Sequence, residues 1–576
     1  MTVPNSLREF IDRLSLEGEL KTIHAEVDPH LEIAEIHRRV VAQNGPALLF
    51  ANVKGSAFPV ATNLFGNQKR LEIALGGDPS RFVQAAVDLI QGPMPPQFNH
   101  LWEKRSLIKR MFSLGMKKRS SGPILDVDNS PSDLTKLPLI TSWPEDGGPF
   151  ITLPLVYTEG KKGPGNLGMY RIQRYDRSTT GLHFQIGKGA GFHLAQAEAH
   201  GQNLPVSIFL GGPPALTLAA IAPLPENVPE LIFCSFLMGK KFKTVSHPSS
   251  PYPIPAECDF ALLGYAKAHE RRLEGPFGDH FGYYSLAHDF PVFTCTTLLH
   301  RKDAIFPATV VGKPPQEDLA IGNLLQKTLS PLFPVVMPNI INLHTFSESG
   351  FHPLAAARIK ERYEREALSS AFRILGEGQL SLTKCLLLTD QAVDVSSIKE
   401  LLPVILERFT PESLHIFGNT SNDTLDYTGP KLNLGSKMVL IGTGKPRREL
   451  PRNINSLPRG IKGFVFCPGC LVIEGGDDPQ ELVQNSSLDN WPLIILVDDA
   501  ASCTSSSLEF LWQVFTRFEP AQDVYTREKK IVRSQVAFSL PILIDARMKQ
   551  NYPKILEPLP ETANLVEQRW HEYFPE

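Results

Sequence analysis

Cysteine is scarce in this sequence: seven residues among 576, an odd number, which argues against a disulfide framework and fits a reducing compartment. Long apolar runs are missing too. None reaches the roughly 20 residues needed to cross a bilayer, and the N-terminal MTVPNSLREFIDRL has neither the basic stretch nor the apolar core of a leader, so the expected location is the cytoplasm. Positive charge forms no block beyond short runs such as KKRS at 117–120, and 58 basic residues nearly cancel 61 acidic ones, for a net charge of -3. That balance leaves no footprint for nucleic acid. The lone C-x-x-C, in FCPGC at 466–470, has no second pair or suitably spaced histidines nearby to complete a zinc site. Cys467 and Cys470 read as buried thiols flanking a turn, with a redox pair as the alternative.

What is present is an ordinary globular composition, 42% hydrophobic and 21% charged, in a chain long enough for about two to four domains. To about residue 115, helix-like and strand-like periods alternate. Ser6 is placed to cap a helix carrying Leu7, Phe10, Ile11 and Leu14. Segments 19–26, 47–50 and 58–62 read as strands, and 31–41, 68–75 and 79–90 as helices, which makes an α/β domain. The basic, irregular 105–121 and the proline-spaced PILDVDNSPSDLTKLPLI mark a connecting arm. Between 123 and 325 strands dominate, as in LPLVYTEG, NLGMYRIQRYD, PVSIFLGG and PVFTCTTLLHR, with turns rich in Gly and Pro that suit a barrel or sandwich. LTKCLLLTD followed by 395–409, and WPLIILVDD followed by 506–517, are strand-then-helix units of a second α/β domain. Beyond 320 neither G-x-G-x-x-G nor G-x-x-x-x-G-K-[ST] occurs, so a nucleotide-binding reading of that domain lacks its loop. The expected organisation is an α/β (α+β) multidomain protein divided as 1–122, 123–325, 326–550 and a helical tail over 551–576, where Leu565, Trp570 and Phe574 sit among charges.

Two stretches carry chemistry. RLEGPFGDHFGYY at 272–284 sets Glu274 and Asp279 five residues apart across Gly275, Pro276, Phe277 and Gly278, a segment too broken for a helix interior. A loop with proline fixing one φ and two glycines free to take positive φ can aim both acids into one cavity. Shared burial there drives their pKa values apart, as acid/base chemistry requires. The alternative is a tight turn whose acids are solvated or cap nearby backbone. GNLGMYR at 165–171 reads as a strand with Asn166, Gly168 and Tyr170 on one face and Leu167, Met169 and Arg171 on the other. Arg171 is then either a surface residue or a planar fork for a carboxylate or phosphate.

Together these two segments resemble the signatures of the UbiD family, decarboxylases that use a prenylated flavin mononucleotide. LFGN at 64–67, LPVSIFLGGPPA at 204–215, APLPENVPE at 222–230, FPVFT at 290–294 and GSKMVL at 435–440 agree in order and spacing, so the resemblance runs over most of the chain. It implies a central split β-barrel similar to flavin reductases, flanked by the two α/β domains, and a C-terminal helix that reaches a neighbouring subunit. It also makes Asn166 and Glu230 ligands of a divalent metal, manganese, with potassium as a further ion, bridging to the cofactor's phosphate; hard oxygen donors suit such ions. Met169, Tyr170 and Arg171 would follow the flavin, and His183, Phe184 and Gln185, with Lys188 and Gly189, would line it. Lys437 in GSKMVL is a further implied contact, a surface lysine being the alternative. The family's third metal ligand, a histidine, falls at Gly187 here. His193 swinging in, water completing the shell, and Lys188 meeting the phosphate in a metal-poor site are the alternatives; water is preferred, because oxygen-preferring ions keep waters readily.

By the same resemblance the flavin carries the hard chemistry, Arg171 orients the substrate carboxylate, Glu274 holds and tunes Arg171, and Asp279 returns the proton that replaces carbon dioxide. The family spans hydroxybenzoates, cinnamic acids, polycyclic aromatics and prenylated quinone precursors. HFQIGKGAGFH and GGPPALTLAAIAPLPENVPE are most similar to its menaquinone branch, which implies a dihydroxynaphthoate; within the menaquinone and ubiquinone branches together a hydroxybenzoate is the other implied substrate, and a prenyl tail on either would add peripheral membrane contact. A flavin prenyltransferase would supply the cofactor, and a homo-oligomer is expected. Two other classes stay open: an accessory flavin-binding protein, to which the change at Gly187 points, and a flavin-dependent oxidoreductase, to which the barrel alone points.

Overall fold

The computed structural model describes residues 2–80, 83–84, 87–88, 112, 114–161, 163–184, 189–222, 224 and 228–575, in two compact units: 1–328 with 554–576, and 329–553. In the first unit the helix Leu7–Leu16 begins where the Ser6 hydroxyl accepts the Glu9 N–H at 3.2 Å, a cap worth about 1 kcal/mol. Its buried stripe is Leu7, Phe10, Ile11 and Leu14, as the spacing predicts. Helices Glu32–Ala42 and Gln68–Leu75 accompany a four-stranded sheet ordered Leu20–Ile23, Ala47–Phe50, Val60–Thr62, Phe306–Pro307. Of the expected helix over 79–90, residues 81–82, 85–86 and 89–90 lie outside the described residues, as do 105–111 and 113 of the arm over 105–121. Phe306–Pro307 arrives from far down the chain and runs parallel to Val60–Thr62, so the N-terminal segment and the strand-rich segment share one sheet and one apolar core.

The strand-rich segment is a seven-stranded antiparallel sheet. Its path runs Thr179–Gly181, His288–His300, Phe260–Glu274, Leu204–Leu210, Leu155–Thr158, Asn166–Met169, with Val127–Asn129 pairing His288–His300 off that path. The two longest strands pair along their length except for register shifts between Leu263 and Gly264 and between Ala266 and Arg271. Where a split barrel is expected, the described strands give an open path. Residues 554–576 return to this unit. Helix Pro560–Tyr573 buries Val566 and Tyr573 completely, Arg569 and the Tyr573 hydroxyl both bond Glu32, and Arg39 donates to the Ala563 carbonyl at 2.7 Å. Within one chain, therefore, the tail packs on helix Glu32–Ala42.

The second unit holds two five-stranded sheets. One runs Ile340–Thr345, Leu354–Ile359, Cys385–Thr389, Leu434–Gly442, Leu414–Ser421; the other Lys462–Cys467, Cys470–Glu474, Leu493–Val497, Ile542–Asp545, Val524–Thr526. Their central strands are parallel and covered on both faces, which is why CLLLT and LIILV are continuous apolar runs rather than alternating ones. Helices Ile398–Arg408 and Ser507–Arg517 follow the two strands read from the sequence. Cys467 and Cys470 face each other across a two-residue turn, and all seven cysteines are buried and unbridged.

Candidate functional site

The strand Asn166–Met169 pairs with Leu155–Thr158 so that Thr158 lies opposite Asn166 and Leu155 opposite Met169. Alternation places Asn166 and Tyr170 on a shared face: the Asn166 amide nitrogen donates to the Tyr170 hydroxyl at 3.5 Å, and the Tyr170 ring covers the Cα of Gly168. Arg171 leaves the strand on the other side and enters the loop that follows Glu274. Its Nε donates to Glu274 Oε1 at 3.0 Å, its Nη1 to Asp279 Oδ2, and its Nη2 to Ser285 Oγ at 2.9 Å. The guanidinium lies 4.8 Å from the centroid of the Phe277 ring.

The two acids read from the sequence do meet, and they meet on a single buried guanidinium. Their pKa values are not driven apart. Burial raises both, but for Glu274 the Arg171 charge and the His183 hydrogen bond outweigh it, leaving the carboxyl below its ordinary value. For Asp279 burial is outweighed by the hydrogen bond from His280 and by Arg171, and the carboxyl is held at about 2. The expectation fails because it omits the cation between the acids, which favours both charged forms.

The second oxygen of Glu274 meets His183 Nδ1 at 2.8 Å. Burial, then the Arg171 charge, lower the His183 pKa; the ring is neutral, donates from Nδ1 to the carboxylate and keeps a bare lone pair at Nε2. That Nε2 is buried without a hydrogen-bond partner among the described residues, the state of an atom that a bound polar group would satisfy. The Phe290 ring packs against the imidazole at a tilt of 36°, 4.4 Å between centroids.

Several remote segments shape the loop. Of its two glycines, Gly275 takes a φ of 95°, whereas Gly278 is required by close approach: a Cβ there would fall 2.0 Å from the Trp143 ring. The Asp146 carboxylate accepts the backbone N–H groups of Ser142, Trp143 and Gly278 at 2.9, 2.9 and 2.7 Å, and burial nonetheless pushes its pKa up to about 6. Gln173 holds the other end, accepting the Gly275 N–H at 2.8 Å and donating to the Gly147 carbonyl at 2.6 Å. Residues 554–556 back the loop: the Tyr284 N–H donates to the Lys554 carbonyl at 3.2 Å, the Leu556 N–H to the Gly282 carbonyl at 3.0 Å, and Leu556 packs with Trp143 and Tyr284.

Glu230 opens the helix Glu230–Met238, and its Oε2 accepts the N–H of Leu167, the residue beside Asn166, at 3.0 Å. Burial raises its pKa. Helix Gly189–Glu198 starts with the Gly189 backbone against the Asn166 side chain. His193, on that helix, meets Thr158 Oγ1 through Nδ1 at 2.9 Å, next to the strand position opposite Asn166. Among the described residues no group of three His, Cys, Asp or Glu side chains is arranged to hold a metal ion. The oxygens of Asn166 and Glu230 are a partial donor set of the hard kind, which phosphate oxygens and water can complete around a divalent ion.

Phe184 packs edge-on against Tyr170 at 5.3 Å, and Met169 is the half-buried last residue of its strand. Gln185, Gly187 and Lys188 lie outside the described residues. Lys437 belongs to the second unit, on strand Leu434–Gly442. It is buried there, its Nζ donating to the Ser381 and Thr383 carbonyls at 2.8 Å each, and burial lowers its pKa to about 8. Sequence reasoning does not reach Ser285, Asp146, Gln173 or the imidazole of His280. His280 stands directly after Asp279 in the motif and is the one with a local signal; no spacing rule joins residues 146 and 173 to the loop at 275–278.

Three family models match this chain: residues 11–90, 116–314 and 320–442 match those described as the N-terminal, Rift-related and C-terminal domains of 3-octaprenyl-4-hydroxybenzoate carboxy-lyase. The sheet that begins at Lys462 lies beyond them. An uncharacterized protein of Chlamydia trachomatis is 54% identical over 99% of this chain and 100% of its own length. A protein of Chlamydia pneumoniae, named as one of the subunits of a 4-hydroxybenzoate decarboxylase, is 51% identical over 99% of this chain and 98% of its own. Among solved structures, the vanillic acid decarboxylase of Sedimentibacter hydroxybenzoicus in its closed form matches with a TM-score of 0.69 and 25% identity, over 79% of this chain and 96% of that one. HmfF of Pelotomaculum thermopropionicum, a UbiD-class enzyme solved in complex with FMN, matches in fold with a TM-score of 0.62 and 24% identity, over 79% and 97% of the two chains.

Proposed function

This chain belongs to the UbiD family of carboxy-lyases, and on that footing we propose that it removes carbon dioxide from an aromatic carboxylic acid without net oxidation, with prenylated FMN as its cofactor. The observation that carries the reading is the Arg171 guanidinium held between Glu274 and Asp279. Prenylated FMN, when bound, supplies the electron sink for the pair left as carbon dioxide departs. The protein does the rest. Three of the five guanidinium N–H groups of Arg171 are engaged by Glu274, Asp279 and Ser285, and the other two are the donors that orient the substrate carboxylate. Glu274 fixes the plane of that guanidinium and the tautomer of His183, whose Nε2 offers an acceptor to a bound polar group. Asp279 delivers the proton to the carbon that loses carbon dioxide. Phe277 and Phe281, both buried, keep bulk water from the acid.

Asn166 and Glu230 would hold a divalent ion, manganese, against the cofactor's phosphate, with potassium as a further ion; Met169, Tyr170, His183, Phe184, Gln185, Lys188, Gly189 and Lys437 remain its proposed cofactor contacts. The substrate is a hydroxylated aromatic acid. The name of the Chlamydia pneumoniae relative favours 4-hydroxybenzoate, and the resemblance of residues 183–193 and 211–230 to the menaquinone branch favours a dihydroxynaphthoate of quinone biosynthesis. A flavin prenyltransferase supplies the cofactor, and the enzyme works as a homo-oligomer in the cytoplasm. No helix among the described residues is long and apolar enough to cross a membrane.

The test is co-expression with a flavin prenyltransferase, mass spectrometry of the released cofactor, and carbon dioxide release from a panel of hydroxybenzoates and naphthoates. Prenylated FMN in the protein together with turnover of one acid is the expected result. Absence of prenylated flavin despite ample supply would move the accessory-protein reading ahead. Bound manganese and flavin that survive both Asn166→Ala and Glu230→Ala would remove the metal assignment.

A further inference from the structure

Asp279 is a poorly placed acid to work alone. Its Oδ2 is held by Arg171, and its Oδ1 accepts two bonds from one residue, the backbone N–H of His280 at 2.7 Å and the ring Nδ1 of His280 at 2.6 Å. A carboxylate with three donors, one of them a guanidinium, favours its charged form and holds a proton badly. After each proton it gives away it stays ionised, and a fresh proton has to come along one of its own hydrogen bonds. The side chain of Asp279 is 9% exposed while that of His280 is 25% exposed, so the imidazole spans from the buried carboxylate toward water. The Phe281 ring flanks the imidazole edge-on at 4.9 Å, and the His280 carbonyl accepts the Gln316 amide at 3.0 Å, which fixes the backbone on which the ring turns.

The geometry points to His280 as the proton-relay residue that recharges Asp279 from solvent during turnover. This role rests on the decarboxylase reading above. The step balances as follows: protonated His280 passes its Nδ1 proton to Asp279 Oδ1; the Asp279 carboxyl passes its proton to the carbon whose bond to the carboxylate has broken; the electron pair of that broken bond becomes the new C–H bond; and His280 recovers a proton from water. One solvent proton is consumed per carbon dioxide, and nothing is oxidised or reduced. His280 does not touch the substrate in this scheme, so it is a positioning residue acting through Asp279. Among the described residues, the charged and titratable groups around the pair include Arg171 on Asp279, Glu274 with His183 behind it, and Asp318, which faces both Asp279 and His280 from the helix Glu317–Leu329.

Two readouts test it. The first uses the protein without cofactor: histidine labelled with carbon-13 in the ring, with His280 identified as the signal lost in His280→Gln. In Asp279→Asn the His280 signal should titrate at lower pH than in the wild type, because the neighbouring anion is gone; an unmoved titration means the two groups are not coupled and overturns the relay. The second uses the loaded enzyme on whichever panel acid turns over. His280→Gln should lower kcat about 100-fold with little change in KM or in bound flavin, lose the alkaline limb of the kcat profile, and recover on addition of imidazole. Unchanged kcat in His280→Gln overturns the relay while leaving the decarboxylase intact. A wild type loaded with prenylated FMN that turns over no acid sinks the decarboxylase reading, and the relay with it.

Discussion

Replacing His37 by leucine should make the first unit more resistant to acid. His37 sits on helix Glu32–Ala42, is 1% exposed, and has both ring nitrogens buried without hydrogen-bond partners among the described residues. Burial, aided by the charges of Arg38 and Arg70, pushes its pKa down to about 3. In the unfolded chain the imidazole titrates near 6.5, so between pH 8 and pH 5 the unfolded state takes up a proton that the folded state refuses. Stability conferred by keeping His37 neutral is complete above about pH 6.5 and is lost as the pH falls toward the folded-state value. At pH 5 the deficit is roughly 1.5 pH units at about 1.4 kcal/mol each, or about 2 kcal/mol. Any folded-state value below about 4 gives the same figure. His37→Leu removes the titration together with the two unpartnered nitrogens, and should also gain a little at pH 8. The assay is denaturant unfolding of both proteins at pH 8 and pH 5, with the difference of differences cancelling the carboxylates they share. Equal losses in the two proteins would refute the reasoning and mean that His37 finds a proton or a water in the folded state.

Arg171→Leu leaves Glu274 and Asp279 buried without their cation; unfolding at pH 7 should cost about 3–5 kcal/mol less than in the wild type, and the deficit should shrink at pH 5, where the unpaired carboxyls take up protons. A deficit that grows on acidification would contradict the pairing. Gly168→Ala sets a Cβ 2.6 Å from the Tyr170 ring, so the ring must move; flavin absorbance per protein should fall, and undiminished flavin would remove Tyr170 from the cofactor's surroundings. Tyr573→Ala opens a cavity under the tail helix and removes its bond to Glu32, an expected loss of about 3 kcal/mol or more that thermal unfolding would read as a clear drop in Tm.

Local signals were the legible part of this protein. Ser6 and the stripe Leu7, Phe10, Ile11, Leu14 write a helix with its cap, and CLLLT and LIILV write buried parallel strands, because each rests on neighbours within one turn or one pleat. Arg171, Glu274 and Asp279 could be paired from two motifs, and the structure brings each acid within hydrogen-bond distance of the arginine. What the motifs could not say is what the acids experience there. That depends on Arg171 lying between them and on His183 and His280 at their outer oxygens, which are tertiary facts. The carboxylate of Asp146, which pins Gly278 from 132 residues away, leaves no periodicity to read. Nor does the sharing of one sheet between Val60–Thr62 and Phe306–Pro307, which merges two segments that composition separates.

The backing of the Gly282–Tyr284 loop by residues 554–556 bears on the order of synthesis. A ribosome making this chain emits Arg171, Glu274 and Asp279, then the whole of 329–553, and only afterwards the segment whose backbone bonds Gly282 and Tyr284. Because compact units tend to fold as they emerge, the second unit can be complete while the loop carrying Asp279 still lacks its support. Closing that support is a contact across nearly half of the chain, slow by the usual scaling of rate with sequence separation. The loop carrying Asp279 would therefore be among the last parts of its unit to mature, together with the tail helix that follows, and nascent chains stalled within 329–553 would hold every residue of the acid pair and its arginine without the backbone support of residues 554–556.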